Sequence, residues 1–169
     1  MDNLEDWYAD VLENVDSTAT ELEDFARLAD TDQDFSEMLA TDYLGMGTLV
    51  AEHGNTAPAT LLYLLDLISA DWKGGTHIMQ AVAHSKNCPA EALAILFDHG
   101  DRYVREAVIE HPAATAKLYR RAGTDTSDAV RYRLTHDNPA VPDDVLDTLA
   151  TDREEHIRES ARETLRERH

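Results

Sequence analysis

Four histidines, His53, His84, His111 and His136, stand in one recurring local phrase, and repeated imidazoles raise the question of a metal site or a general base. If each closes a turn between successive helical units, the ions cannot be shared. Stacked helices lie about 8–10 Å apart, whereas zinc holds nitrogen at about 2 Å. The expectation is that these rings pack or cap turns. Asp30-Thr31-Asp32-Gln33-Asp34 opens like a calcium loop, but Phe35 and Thr41 stand where such a loop needs its glycine and its bidentate glutamate. A solvated helix start is expected there. Asp143 and Asp144 form a carboxylate pair directly after Pro142, where negative charge suits a helix N-terminus better than acid–base work. Ser85 follows His84 without a nucleophile-elbow context or a third partner. Cys88 is the single cysteine, which excludes an internal disulfide, and no base or resolving thiol is identifiable beside it. These residues do not converge on a reaction. The chain is expected to be non-catalytic, with no cofactor and no metal.

Two further sets carry binding chemistry. Arg105, Arg131 and Arg158 each follow an apolar core position at a nearly constant step. The expected role is structural, with the stem covering apolar surface and the guanidinium bonding carboxylates or carbonyls of the neighbouring unit. Trp7 fits an apolar helical stripe with Leu4, Val11, Leu12 and Val15. Trp72 instead sits in Asp71-Trp72-Lys73-Gly74-Gly75, an inserted turn, and an aromatic on an insertion is a candidate interface anchor.

The elements that would position these residues repeat. The phrases Val50-Ala51-Glu52-His53-Gly54-Asn55, Val82-Ala83-His84-Ser85-Lys86-Asn87, Val108-Ile109-Glu110-His111-Pro112 and Leu134-Thr135-His136-Asp137-Asn138-Pro139 step by 32, 26 and 26 residues. A second phrase, Val104-Arg105, Val130-Arg131 and Ile157-Arg158, with Ile78-Met79 as its variant member, keeps the same register. Each unit reads as two helical pieces. Leu61, Leu64 and Leu65, then Leu93, Leu96 and Phe97, then Val145, Leu146 and Leu149, trace the buried stripe of the first piece. Asn55, Asn87 or Asn138 is expected to cap it, with Pro58, Pro89 or Pro142 in its first turn. The second piece ends before a turn such as His111-Pro112. Thr18 and Glu21 predict a capping box ahead of Leu22, Phe25 and Leu28. No run of alternating β-branched residues predicts a strand.

The 169 residues carry 34 acids against 15 bases, a formal net charge of −19. Residues 1–50 alone hold fourteen acids and one base, Arg27. Such a field repels nucleic acid and anionic membranes, so direct binding to either is not expected. The apolar stretch 61–69 is interrupted by Tyr63 and Asp66 and falls short of the ~20 residues of a membrane span. The acidic first residues are unlike a signal or transit peptide, which makes a cytoplasmic location the expectation. Twelve arginines against three lysines, with abundant aspartate, also fit adaptation to high salt.

The phrases V-A-x-H-x-N-x-x-P and V-R-x-A-V at this step make residues 50–161 resemble the leucine-rich repeat variant family, helical repeats related in style to HEAT repeats. Met79 replaces one arginine and Ala113-Ala114-Thr115 one Asn/Pro cap. The resemblance implies an all-α, right-handed α-solenoid of about four to five repeats, with α- and 3-10-helical segments alternating. Residues 1–49 would form an acidic helical cap or divergent repeat, and residues 50–169 the repeats, as one structural domain overall. The iron–sulfur cysteine cluster of some relatives is absent and does not carry over. The family implies no catalytic residues.

The expected function is a non-catalytic scaffold that binds a protein with a basic surface. Trp72 and Lys73 of the inserted turn, with Asp30, Asp32 and Asp34 of the acidic segment, are the expected partner-binding residues. Two alternatives stay open: an acidic mimic of DNA that blocks a nucleic-acid-binding protein or toxin, and a salt-adapted enzyme.

Overall fold

The computed structural model describes residues 11–12, 14, 16–30, 38–39, 45–70, 75–136 and 138–169, and all regular structure among them is helical. The chain divides into two compact units, Met1–Ile95 and Leu96–His169.

In the first unit, α1 (Ala19–Arg27) starts at Thr18, whose side chain accepts from the Glu21 amide at 3.3 Å. The Glu21 carboxylate accepts from the Thr18 amide at 2.7 Å in return, and this capping box holds its pKa below the ordinary value. The helix buries Leu22, Phe25 and Ala26 and tightens into a 3-10 turn at Leu28–Asp30. α2 (Met46–Glu52) is followed by α3 (Pro58–Leu67), which buries Leu61, Leu64 and Leu65 and ends in a second 3-10 turn, Ile68–Ala70. α4 (Thr76–His84) packs on α2. At Gly47 of α2 a β-carbon would lie 2.5 Å from the Ile78 side chain of α4 and 3.1 Å from the Leu39 carbonyl, so only glycine allows this approach. α5 (Ala90–His99) runs across the division between the units.

The second unit contains α6 (Arg102–Glu110), α7 (Ala116–Ala122), α8 (Asp128–Arg133), α9 (Asp143–Leu149) and α10 (Glu155–Arg168). α8 lies between α6 and α10, and α9 packs on α10. Helices of six or seven residues do not persist alone in water, so α7, α8 and α9 are held by the apolar surface they bury. Leu118, Val130, Leu146 and Leu149 are each at most 3 % exposed, and each such side chain contributes roughly 1.5–3 kcal/mol. Gly100 precedes α6, where a β-carbon would fall 2.6 Å from both the Leu96 carbonyl oxygen and Val104 Cβ.

The recurring sequence positions occupy equivalent local environments. Val50, Val82, Val108 and Leu134 are all buried, as are Ile78, Val104, Val130 and Ile157. Two expectations need correction. The second pieces of the described units are α-helical, with bonds to the fourth preceding carbonyl such as Arg105 N to Asp101 O at 3.0 Å. The 3-10 turns Leu28–Asp30 and Ile68–Ala70 extend α1 and α3. Second, the asparagines are not helix caps. Ala57, Thr115 and Pro142 occupy the N-cap positions of α3, α7 and α9. Asn55 and Asn87 instead donate to carbonyls of an earlier turn: Asn55 to Ser17 at 2.9 Å, and Asn87 to Gly54 and Thr56 at 3.1 and 2.9 Å. These carbonyls lie in turns that no helix satisfies, and a side-chain amide reaches them where a backbone amide cannot.

Candidate functional site

The second helices of the second unit are joined by a run of arginines and aspartates. Arg105 grips the Asp125 carboxylate through Nε and Nη2 at 2.7 and 2.9 Å, and Arg131 grips Asp152 in the same fork at 2.7 and 3.1 Å. Nη1 of each arginine turns to a backbone carbonyl: Arg105 to Gly100 at 3.0 Å, Arg131 to Asp125 at 2.8 Å, Arg158 to Asp152 at 2.6 Å. Asp125 and Asp152 therefore serve two successive arginines, one by carboxylate and one by carbonyl. Their carboxylates also accept the amides of Ser127 and Glu154, which fixes the turns into α8 and α10. The Arg131 bond holds the Asp152 carboxyl below the ordinary range, and Asp152 in turn raises the Arg131 guanidinium. At Asp125 burial pushes the pKa up, but Arg105 and the Ser127 amide outweigh it and leave the value lowered. The sequence signal for these acids is the pair Thr124-Asp125 and Thr151-Asp152, 27 positions apart. Arginines committed in this way position helices and are closed to a ligand.

The histidines split into two local roles. Nδ1 of His53 accepts the Asn55 amide at 3.2 Å, and Nδ1 of His111 accepts the Ala113 amide at 3.0 Å, each closing its turn. With Nδ1 accepting, His53 Nε2 donates to the Asn14 carbonyl at 2.9 Å. His84 and His136 bond back through Nδ1 to the fourth preceding carbonyl, of Gln80 at 2.8 Å and Tyr132 at 3.2 Å. Among the described residues no three His, Cys, Asp or Glu side chains gather in a way that could hold a metal ion. Asp143 and Asp144 do not work as a pair: Asp143 meets Arg168 at 2.8 Å and Asp144 meets Arg120 at 2.7 Å. Cys88 is buried, and that burial pushes its thiol up to about 12, where no thiolate forms near neutrality. Trp7, Trp72, Lys73, Asp32 and Asp34 lie outside the described residues, as does the side chain of Asp30.

One place in the second unit gathers exposed chemistry that the fold does not consume. A groove of about 450 Å³ between α8 and α10 is lined by Tyr132, Thr135, His136, His156, Glu159, Ser160, Glu163, Thr164 and Glu167. Tyr132, 37 % exposed, meets the rings of His136 and His156 edge-on, with centroids 4.3 and 5.1 Å away. The floor is fixed by the Thr135–Ser160 hydroxyl pair at 2.7 Å and by Thr164 Oγ1 donating to the Thr135 carbonyl at 2.6 Å. Glu159, Glu163 and Glu167 follow one another at four-residue steps along α10, so they share one face and repel. Arg162 and Arg166, three residues after Glu159 and Glu163, stand about 60° round the helix from them, and Arg162 turns to the Ala150 carbonyl at 2.9 Å. The sequence reading missed this groove, because it is built from two helices more than twenty positions apart. The four-residue glutamate step opposite an exposed tyrosine is the only linear trace of it.

No family model, no curated protein and no solved structure matches this chain.

Proposed function

We propose that the protein is a non-catalytic scaffold of helical repeats in the style of the leucine-rich repeat variant family, and that it binds a protein with a basic surface. Support for repeated units comes from the recurrence of the buried phrase positions and of the arginine-to-carbonyl bonds at Arg105, Arg131 and Arg158. A right-handed α-solenoid of about four to five such units is the architecture this reading favours. The binding role rests on one observation. Arg105, Arg120, Arg121, Arg131, Arg133 and Arg168 are all paired within the chain, while Glu159, Glu163 and Glu167 form no ion pair among the described residues and lie beside an exposed tyrosine. Acids left over in this way attract cations and speed the encounter with a basic partner.

Immobilised protein exposed to native extract, then eluted with graded salt, tests the reading. A basic protein that elutes as salt rises, and that binds again when both are purified, supports it. Capture of nothing basic, together with turnover of a small molecule, overturns it.

A further inference from the structure

The turns that begin at Asn14, His53, His111 and Asn138 share one hydrogen-bond pattern. The backbone carbonyl of the first residue accepts the amide three positions on, and its side chain accepts the amide two positions on. Asn14 does this for Ser17 and Asp16, both at 3.0 Å, and Asn138 for Val141 and Ala140 at 3.1 and 3.0 Å. His53 and His111 take the same place. Their carbonyls accept Thr56 and Ala114 at 3.0 and 2.8 Å, and their Nδ1 atoms accept Asn55 and Ala113 at 3.2 and 3.0 Å. Each is an Asx turn with an imidazole nitrogen where the amide oxygen would stand. The substitution matters, because an amide oxygen keeps its lone pairs at any ordinary pH. Nδ1 has a single lone pair, and a second ring proton occupies it.

At His53 the consequence reaches beyond its own turn. Nε2 of the ring donates to the Asn14 carbonyl at 2.9 Å, and the Asn55 side-chain amide donates to the Ser17 carbonyl at 2.9 Å. Residues 53–56 are thereby clasped to the turn that leads into α1. A doubly protonated ring would aim Nδ1–H at the Asn55 N–H, donor against donor, and rotating the ring to relieve this withdraws Nε2 from Asn14. His84 and His136 differ. They donate through Nδ1 to the Gln80 and Tyr132 carbonyls, so a second proton goes to Nε2 and leaves those bonds in place. Among the described residues, the groups that meet a charge on the His53 ring are Glu52 of α2, then His84 and Lys86 at the end of α4, which line the same hollow, and Asp16 of the Asn14 turn.

We propose that His53 makes this clasp an acid-released joint. Neutral, the ring closes its own turn and holds the turn that opens α1; protonated, it lets go of both. The device does not depend on what the protein binds.

NMR of the full chain from about pH 8 to about pH 5, the span in which imidazoles titrate, follows the His53 ring resonances and the exchange protection of the Asn55 amide together. Protection, corrected for intrinsic exchange, should fall about tenfold in step with protonation of the ring. His53→Asn keeps an acceptor at the Nδ1 position, so Asn55 should stay protected and the pH step should vanish. His53→Gln reaches as far as Nε2 but leaves the Nδ1 position empty, so Asn55 should be unprotected at both ends of the range. Melting curves verify that both variants fold. An Asn55 amide that is unprotected while His53 is neutral, or that stays protected once the ring is protonated, overturns the proposal. So does a pH step that survives in His53→Asn.

Discussion

Arg131 and Asp152 form a two-point ion pair with side chains only 4 % and 7 % exposed, and the Arg131 guanidinium also holds the Asp125 carbonyl. Arg131 lies on α8 and Asp152 in the turn that leads into α10, 21 positions apart, so the bond fixes one helix on the next. A buried pair of this kind contributes little net stability against an apolar replacement, but removing one member leaves an uncompensated charge. Arg131→Met should therefore lower unfolding stability by about 3–5 kcal/mol in urea titrations. Arg131→Met combined with Asp152→Leu should recover a large part of that loss. A double variant as unstable as the single one would show that the guanidinium–carbonyl bond carries the effect.

Acid should loosen the same joint. Because the folded Asp152 titrates below its unfolded value, its stabilisation is fully present above about pH 4 and is lost as pH falls through the lowered folded value. The melting temperature of the native chain should fall steeply below about pH 4, and Asp152→Asn, less stable at neutral pH, should show a shallower acid limb.

Asn87→Ala should cost about 1–2 kcal/mol, since it strips two carbonyls, Gly54 and Thr56, of their donor. Asn87→Asp should not rescue it, because a carboxylate has no proton to give. Equal stability of Asn87→Asp and the native chain would contradict the donor role.

Gly100→Ala should destabilise by about 1–3 kcal/mol, as the new methyl meets the Leu96 carbonyl and Val104. Gly54→Ala serves as the comparison, because its nearest neighbour would be the Lys86 amine at 3.5 Å, the end of a flexible chain. Denaturant midpoints for both variants check the contrast.

A thiol buried and raised to about 12 should be silent toward a chromogenic disulfide at mild alkaline pH while the chain is folded. Cys88 should react fully on unfolding. Labelling at the rate of a free thiol in the native protein would mean that the Ser85–Pro89 turn opens readily.

Much of the helical order was legible because core positions recur: Val82 and Val108 are buried at 0 % exposure, as their shared phrase predicts. The capping box at Thr18 and Glu21 was equally plain, since a cap is a contact between near neighbours in sequence. The asparagines show where spacing misleads. An Asn ahead of a helix has the position of a cap, but Asn87 turns its amide to an earlier turn more than thirty positions away. The arginine role was readable in kind, yet the identity of Asp125 and Asp152 depends on how the turns fold. The α8–α10 groove was hidden for a related reason: Tyr132 and Glu159 line one groove only when two helices are laid side by side.

Asp125 and Asp152 each act as socket for one arginine and hook for the next: Arg105 and Arg131 at Asp125, Arg131 and Arg158 at Asp152. Excising residues 126–152 would join Asp125 to Arg153 and return Arg158 to the sixth place after an aspartate, with Arg105 still facing its carboxylate. A shortened chain that folds with Arg105 on the Asp125 carboxylate and Arg158 on the Asp125 carbonyl would show the two couplings to be interchangeable.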